Sequence, residues 1–306
     1  MNNKFNGIIP LYKPVGMTSF DCVSRLRKIV HMKKIGHSGT LDPNVDGVLP
    51  ICLGNATKVV DYLMDSGKVY QGSITIGFST TTEDLDGDIV EQKELNKPLS
   101  NEEIDLTLSE FIGEIIQIPP MFSAVKVKGK RLYEYAREGL EVERPRRKAQ
   151  IDYFKQIKDS TYDSVKKQQT IYFEVGCGKG TYVRTLAVDF GKKLNYPAVM
   201  SKLTRIKSGG FSINQTYTFN QIEDEEQKNT LDNILQPISY ALINYKEYNL
   251  SDDEWNNVKN GGWIKINQEN ILEDTILLKY QKEAKALYRY HEENNCYKPL
   301  KMFSTN

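Results

Sequence analysis

Apolar and polar residues alternate most clearly over residues 70–78 (YQGSITIGF), where the apolar side chains take every second position. This period is typical of a β-strand with one buried face. The pattern recurs at residues 171–177 (IYFEVGC), and residues 6–12 (NGIIPLY) predict a further short strand. We therefore expect a β-sheet at the centre of the fold.

Two segments have the spacing of amphipathic helices. The first has Ser19 as its candidate N-cap and Asp21 in its first turn. Its apolar face comprises Val23, Leu26 and Val30. The second helix follows the glycine-rich turn at residues 176–180, and its inward side chains are Val183, Leu186, Ala187 and Phe190.

Residues 36–50 (GHSGTLDPNVDGVLP) are rich in glycine, proline and aspartate, which predicts a loop. Elsewhere strands and helices interleave without a strict βαβ repeat. This order predicts an α+β fold around a mixed, mainly antiparallel sheet.

The chain changes character towards its C-terminal end. An acidic and polar stretch at residues 223–233 is a candidate for the end of the main domain. After a turn signal at residues 260–262 (NGG), strand-like segments follow at 275–280 (TILLKY) and 286–291 (ALYRYH). We predict a main domain over residues 1–240 and a small β-rich domain over residues 241–306.

Composition narrows the classes of function. The chain has 306 residues, of which 39% are hydrophobic and 26% charged, as in an ordinary soluble globular protein. Its net charge of +1 does not by itself indicate a polyanionic ligand. Four scattered cysteines without a CxxC pair and three scattered histidines predict no metal site and favour reduced thiols. No signal peptide or long apolar span is evident, so we expect a cytoplasmic protein.

Three segments suggest ligand chemistry, and each has a plainer alternative. Residues 176–181 (GCGKGT) can form a phosphate cradle or a simple tight turn, and they match neither nucleotide fingerprint. Residues 82–87 (TEDLDG) resemble half of a calcium loop, but the twelfth position is Lys93, so we reject calcium. The basic runs at 126–131 and 144–148 are either solvated surface or a nucleic-acid contact.

The loop at residues 36–50 carries His37, Asp42 and Asp46. An aspartate before a proline usually serves turn formation. A pair of carboxylates would instead suit a glycoside hydrolase, with Asp46 as the partner of Asp42. Both interpretations stay open from the loop alone.

Ordered motifs along most of the chain resemble the TruB-type pseudouridine synthases. The catalytic-loop motif is represented by residues 36–43 (GHSGTLDP), continued at 47–50 (GVLP). The remaining matches are residues 13–19 (KPVGMTS), 68–70 (KVY), 80–84 (TTTED) with Gly87, 119–126 (PPMFSAVK), 129–139, 180–186 (GTYVRTL) and 203–205 (LTR). The resemblance covers roughly residues 7–215, and the tail resembles the family's PUA-like domain only loosely.

The resemblance implies a site and a reaction. Asp42 would be the nucleophile, Arg184 its ion-pair partner, and Tyr70 the ring that stacks on uracil and can also act as the base. The implied substrate-binding residues are His37, Tyr182, Leu203, Lys68, Lys126, Lys130, Arg131 and Arg146. The last four lie in an RNA-gripping insertion at about residues 119–150, within a catalytic domain over residues 1–240 that precedes the PUA-like domain over residues 241–306.

The implied reaction is the isomerisation of uridine 55 in the T stem-loop of tRNA to pseudouridine, with no metal and no cofactor. A stand-alone monomer without an obligate protein partner is expected. Whether Asp42 attacks the ribose or the base first is left open by the residues. The alternative from another class is a catalytically silent RNA-binding or RNA-folding module on the same scaffold.

Overall fold

The structure is a computed structural model, which describes residues 4–265 and 273–305. The helices are α1 (Ser19–Ile29), α2 (Val60–Asp65), α3 (Asn101–Ser109), α4 (Leu132–Arg137), α5 (Val183–Lys193), α6 (Phe219–Gln227) and α7 (Asp252–Val258). The strands before the long hairpin are β1 (Gly7–Lys13), β2 (Ile35–His37), β3 (Asp46–Leu53), β4 (Lys68–Ile76), β5 (Phe78–Thr80), β6 (Ile89–Gln92), β7 (Gly113–Gln117), β8 (Lys126–Val127) and β9 (Lys130–Arg131). The others are β10 (Arg147–Asp163), β11 (Gln168–Cys177), β12 (Ala198–Ser208), β13 (Phe211–Ser212), β14 (Lys246–Asn249), β15 (Thr275–Tyr280), β16 (Glu283–His291) and β17 (Cys296–Met302).

A sheet of nine strands within the described ranges forms the centre of the fold. Its main path runs β1-β3-β12-β4-β11-β10-β7, with β2 beside β3 and β13 beside β12. The β3–β12 pairing is parallel and the other pairings are antiparallel. The prediction of an α+β fold with a mixed, mainly antiparallel sheet is confirmed.

The two predicted helices pack on this sheet through the predicted residues. In α5, Leu186 and Phe190 are buried in one core cluster together with Phe173 of β11 and Ile74 of β4. In α1, Val23 and Leu26 belong to a second cluster, with residues of β1, β3 and α6. Burial of each large apolar side chain contributes roughly 1.5–3 kcal/mol, so these contacts hold both helices against the sheet.

The predicted cap of α1 is wrong by one residue. Thr18 is the N-cap, because its side chain accepts from the backbone N–H of Asp21 while the Asp21 carboxylate accepts from the backbone N–H of Thr18. Ser19 is instead the first helical residue and is buried. Its hydroxyl bonds both the N–H and the carbonyl of Leu41, which ties α1 to the loop that follows β2.

The predicted loop over residues 36–50 is also wrong at both ends. Residues 36–37 lie in β2 and residues 46–50 in β3, so only residues 38–45 form a loop. The glycine content predicted a loop here, but Gly47, at φ +109°, is required by close packing within a strand. A Cβ at this position would lie 2.2 Å from the carbonyl oxygen of Arg205. Glycine in this strand permits the β3–β12 contact.

The C-terminal strands form a second sheet, in the order β14-β15-β16-β17. Both strand segments predicted there are confirmed, and Gly261 has the positive φ of the predicted turn. The polar stretch at 223–233 is not a boundary: it is largely helical, and Gln236 beyond it still pairs with Ile8 of the central sheet. The PUA-like assignment and the division near residue 240 stay predictions.

Two further properties of the chain bear on its environment. All four cysteines are free thiols and all are buried. Within residues 4–265 and 273–305, no helix has the length and apolar character needed to cross a bilayer.

Candidate active site

A cleft of about 420 Å³ opens in the central fold. Its wall is formed by loop 38–45, strands β4 and β12, the segment after β7, the turn 178–182 with the start of α5, and one residue each of α2 (Met64) and α4 (Tyr133). Its polar and charged lining includes Thr40, Asp42, Lys68, Tyr70, Ser123, Tyr133, Lys179, Thr181, Tyr182, Arg184 and Arg205. Segments far apart in sequence thus supply one concave site.

Asp42 and Arg184 form an ion pair in this cleft. The Arg184 Nε atom lies 3.0 Å from Asp42 Oδ2. The other two guanidinium nitrogens donate to the carbonyls of Thr82, at 3.1 Å, and Phe122, at 2.9 Å. All three nitrogens are therefore engaged, which fixes the direction from which Arg184 meets the carboxylate.

Residues around the start of α5 set the position of Arg184. Tyr182 is the N-cap residue, and its backbone N–H and carbonyl both bond the side-chain amide of Gln117 from β7. Arg184 follows as the second helical residue, with its side chain only 7% exposed. An almost fully buried guanidinium cannot swing away, so the helix start and Gln117 together aim it.

The environment of Asp42 favours a reactive carboxylate. Burial raises the pKa of Asp42, the Arg184 guanidinium opposes this shift, and Asp84 adds to it. Asp84 lies near the same atom of the arginine, with Oδ2 4.0 Å from Arg184 Nε. The Asp42 side chain is 39% exposed in the open cleft and is held by a cation, so its carboxylate is accessible to a substrate and suited to face a developing positive charge.

A buried lysine holds the loop that carries Asp42. The ammonium of Lys13 donates to the carbonyls of Val45, at 2.7 Å, Pro43, at 3.1 Å, and Pro14, at 3.0 Å. Lys13 is fully buried, and burial lowers its pKa. Its three bonds cross the base of the loop, so its role in the structure is that of scaffold.

We predict that Lys13→Met lowers the free energy of unfolding by about 2–4 kcal/mol, because three carbonyls lose their donor while the side-chain volume is kept. Urea denaturation of both proteins would measure the loss. Lys4→Met is the matched control, since Lys4 is exposed and makes a surface ion pair with Glu226. A loss as small for Lys13→Met as for the control would contradict the assigned role.

Tyr70 and Leu203 form an apolar wall of the cleft from neighbouring strands. Each is 7% exposed, and Leu203 is opposite Gly72 in the β4–β12 pairing. A Cβ on Gly72 would lie 2.4 Å from the Lys202 carbonyl oxygen and 3.0 Å from Leu203 Cδ1. Glycine at that position therefore leaves room for Leu203 beside Tyr70.

Lys68, Tyr182 and His37 have different positions relative to the cleft. Lys68 and Tyr182 line it, and the Lys68 ammonium donates to the Met64 carbonyl at 2.9 Å. His37 ends β2, is half-buried and lies outside the residues that line the cleft. Its buried Nδ1 atom has no hydrogen-bond partner among the residues that the structure describes, and burial and Arg205 lower the pKa of His37.

The basic residues predicted to grip RNA lie beside the cleft rather than in it. Lys126, Arg131 and Arg146 are exposed, whereas Lys130 forms an ion pair with Glu138. Tyr133 connects the two regions, because its ring lines the cleft and its hydroxyl accepts from Arg131 at 2.8 Å. A neighbouring groove is lined by Lys126, Val127, Glu143, Arg144, Pro145, Arg146 and Arg147.

Two charged residues of this region had no individual role in the sequence prediction. Asp84 was included only in the motif at residues 80–84, yet its carboxylate lies 4.0 Å from Arg184 Nε. Arg205 was included only in the motif at residues 203–205, yet it is fully buried and lines the cleft. Nothing in local spacing marks either one, since both depend on strands brought together by the sheet.

Two family models and a solved structure define the class of enzyme to which this chain is similar. The model of the TruB family pseudouridylate synthase N-terminal domain matches residues 27–183, and that of the tRNA pseudouridylate synthase B C-terminal domain matches residues 184–243. The fold is thus that of a pseudouridylate synthase, an isomerase. A chain in the crystal structure of a Cbf5–Nop10–Gar1 complex superposes with a TM-score of 0.71 at 27% identity, over 97% of this chain and 85% of that one.

Full-length relatives refine the assignment. The tRNA pseudouridine synthase B of Ligilactobacillus salivarius is 56% identical over 297 residues, covering 97% of this chain and 98% of the relative. That of Lactiplantibacillus plantarum is 55% identical over 305 residues, covering 98% and 99%. The chain belongs to the TruB family of pseudouridylate synthases.

Proposed function

We propose that this enzyme isomerises uridine 55 in the T loop of tRNA to pseudouridine. The observation that carries the proposal is the Asp42–Arg184 ion pair at the wall of a cleft that also holds Tyr70 and Leu203. The relatives named tRNA pseudouridine synthase B match along nearly the whole chain and support tRNA as the substrate. Binding alone has no need for a carboxylate that is ion-paired with a buried arginine inside a cleft.

The reaction breaks one bond of the nucleoside and forms another. The target uridine first leaves its stack, at a cost of a few kcal/mol. Its uracil then lies against Tyr70 and Leu203, and Asp42 faces the ribose. The C1′–N1 bond breaks, uracil turns, C5 bonds to C1′, and the proton lost from C5 is balanced by the proton gained at N1.

Asp42 can act in this sequence by two routes. In one it attacks C1′ of a ribose with oxocarbenium character, as carboxylates do in glycosyl transfer. In the other it attacks C6 of the uracil ring. Both routes need an ionised carboxylate, which Arg184 supports, and both need a base for the C5 proton, a role that suits Tyr70.

The remaining predicted residues are assigned to substrate binding. Tyr182 and Lys68 are placed to contact the flipped nucleotide because they line the cleft. His37 ends β2 and lies outside the residues that line the cleft, so its proposed part in base extrusion requires the RNA to extend beyond the cleft to β2. The insertion residues Lys126, Lys130, Arg131 and Arg146 would contact phosphates of the T arm.

We further infer that this protein acts on tRNA as a cytoplasmic monomer that needs no protein partner. The cleft is complete within one chain, since Asp42, Arg184, Tyr70 and Leu203 all come from it. Free, buried thiols are those of a reducing compartment, where tRNA is processed. The C-terminal sheet is proposed to be a PUA-like domain.

Removing charge from the insertion should weaken tRNA binding in a salt-dependent way. For the triple variant Lys126→Ala, Arg131→Ala, Arg146→Ala we predict that the slope of log K against log salt falls in magnitude by roughly 2–3, because each phosphate contact contributes about 0.9. The rate at saturating tRNA should stay near that of the native chain. Fluorescence titrations at several salt concentrations would measure the slope.

Lys166→Ala is the matched control for that triple variant. Lys166 is exposed in the β10–β11 turn, at the opposite end of β11 from the cleft, roughly 30 Å away at about 3.3 Å per strand residue. This control should leave the slope unchanged. A triple variant with the native slope would remove the insertion from the RNA interface.

The proposed function is tested by mapping the product. Unmodified tRNA transcript is incubated with the chain, treated with carbodiimide, and read by primer extension, which stops at pseudouridine. We expect a stop at position 55, and no stop in a transcript that carries cytidine there. Tight binding of tRNA without any stop would instead support the silent RNA-binding module.

A further inference from the structure

Two buried cations converge on the wall of the cleft that carries Tyr70. A Cβ built on Gly39 would lie 3.5 Å from Arg205 Nη1 and 3.5 Å from Lys68 Cε, so both side chains reach the same point from different strands. Arg205 is fully buried and Lys68 is 7% exposed. Arg205 is also the register partner of Tyr70 in the β4–β12 pairing.

Within the described residues, neither Arg205 nor Lys68 forms an ion pair with a carboxylate. Arg205 donates to the carbonyls of Val48 and Gly39, and its side chain also interacts with the Tyr70 hydroxyl. A buried cation without a counterion is costly, which points to a charge that arrives with the substrate.

Charge is distributed unevenly around the cleft. Asp42 and Asp84 both lie within 4.0 Å of Arg184 Nε, whereas Arg205 and Lys68 meet at Gly39 without a carboxylate partner among the described residues. The cation of Arg205 lowers the pKa of Tyr70 against the raising effect of burial, so its field reaches the phenol. A reaction that separates charge, with the positive end at the sugar and the negative end at the base, matches this arrangement.

We propose that Arg205 and Lys68 act as electrostatic positioning residues that stabilise the negative charge formed on the uracil ring during isomerisation. The inference rests on the proposed function. In the ribose route, the electron pair of the C1′–N1 bond leaves with uracil as an anion. In the base route, attack at C6 moves the electron pair of the C5–C6 bond towards O4.

The charge is transient in both routes, so the step balances within the reaction. In the ribose route the uracil anion turns and C5 displaces the Asp42 carboxylate from C1′. The C5 proton then passes to the base, and N1 gains a proton. No oxidant, reductant or co-reactant is consumed, and the two cations are left as they began.

The test compares uridine with 5-fluorouridine at position 55 of the same tRNA. Fluorine withdraws electrons and stabilises a ring anion by itself, so the reaction should depend less on protein cations. Single-turnover loss of the N1-linked nucleoside is followed by digestion and mass spectrometry. We expect Arg205→Met and Lys68→Met to slow the uridine reaction on the order of 10²-fold. The factor by which they slow the fluorinated reaction should be at least about tenfold smaller.

Two variants separate charge from structure. Arg205→Lys keeps the cation and should retain most of the native preference between the substrates. Lys202→Met removes an exposed cation from the same strand and should leave the ratio of the two rates native. If Arg205→Met does not fold, Lys68→Met decides, because the one hydrogen bond that its ammonium makes within residues 4–265 and 273–305 is to the Met64 carbonyl.

Equal slowing of both substrates by the folded variants, or no slowing at all, would overturn the inference. A native chain that converts neither substrate would overturn the proposed function instead. The two failures are distinct, because the first is seen only in variants and the second in the unaltered protein.

Discussion

Asp42→Asn should abolish pseudouridine formation while leaving tRNA affinity within a few-fold of the native value. The amide keeps the size of the side chain but removes the negative charge that either route of attack requires. We expect the single-turnover rate to fall on the order of 10⁴-fold or more, as for other essential nucleophiles. Rapid-quench reactions with excess enzyme would measure the rate, and filter binding would measure the affinity.

Asp46→Asn is the matched control for that variant. Asp46 lies four residues further on, at the start of β3, where it accepts a hydrogen bond from the Tyr12 hydroxyl at 2.5 Å. It does not line the cleft, and an amide oxygen can accept the same bond. We expect near-native rates; an equal loss in both variants would indicate a pair of catalytic carboxylates, as in a glycoside hydrolase.

Replacement of Arg184 should produce the second largest effect. Arg184→Met removes the cation that opposes the raised pKa of Asp42 and leaves the carbonyls of Thr82 and Phe122 without their donor. We expect kcat/KM at neutral pH to fall roughly 10²–10³-fold. Arg184→Lys keeps the charge but cannot reach all three acceptors at once. Its kcat/KM should therefore lie between that of the native chain and that of Arg184→Met.

The pH dependence of these variants has a definite sign. Activity needs ionised Asp42, so it is lost as the pH falls through the pKa of that carboxyl group. Burial already raises this pKa and Arg184 lowers it, so loss of the arginine raises it further. The acid limb of the profile of kcat/KM against pH should therefore move to higher pH in Arg184→Met. An unmoved limb would show that Arg184 does not set the ionisation of Asp42.

Much of the scaffold could be predicted from local patterns. The strand at 70–78, the strand at 171–177 and the two helices depend on periodic burial, which a single segment records. The loop at 36–50 was predicted too long because Gly47 is a strand residue. It is glycine because β12 packs closely against it, which local composition cannot reveal. The cap of α1 was misplaced for a similar reason, since the Ser19 hydroxyl is engaged by Leu41.

The residues of the site also differ in how far the sequence alone predicts them. Asp42 and Arg184 lie on segments far apart in sequence, and only the ordered motifs linked them before the structure placed them 3.0 Å apart. Arg205 and Asp84 act through contacts across strands and loops, so their positions follow from the assembled sheet alone. His37 was predicted in the catalytic loop, yet it ends β2 and lies outside the residues that line the cleft, because the pairing of β2 with β3 fixes its position.

The central claim is that this chain performs isomerisation at one uridine of tRNA. The most direct measurement is tritium release from tRNA labelled at C5 of its uridines, because forming the C5–C1′ bond expels that hydrogen. We expect one tritium to be released per tRNA with the native chain and none when position 55 is cytidine. Saturating tRNA binding without tritium release, or release independent of position 55, would contradict it.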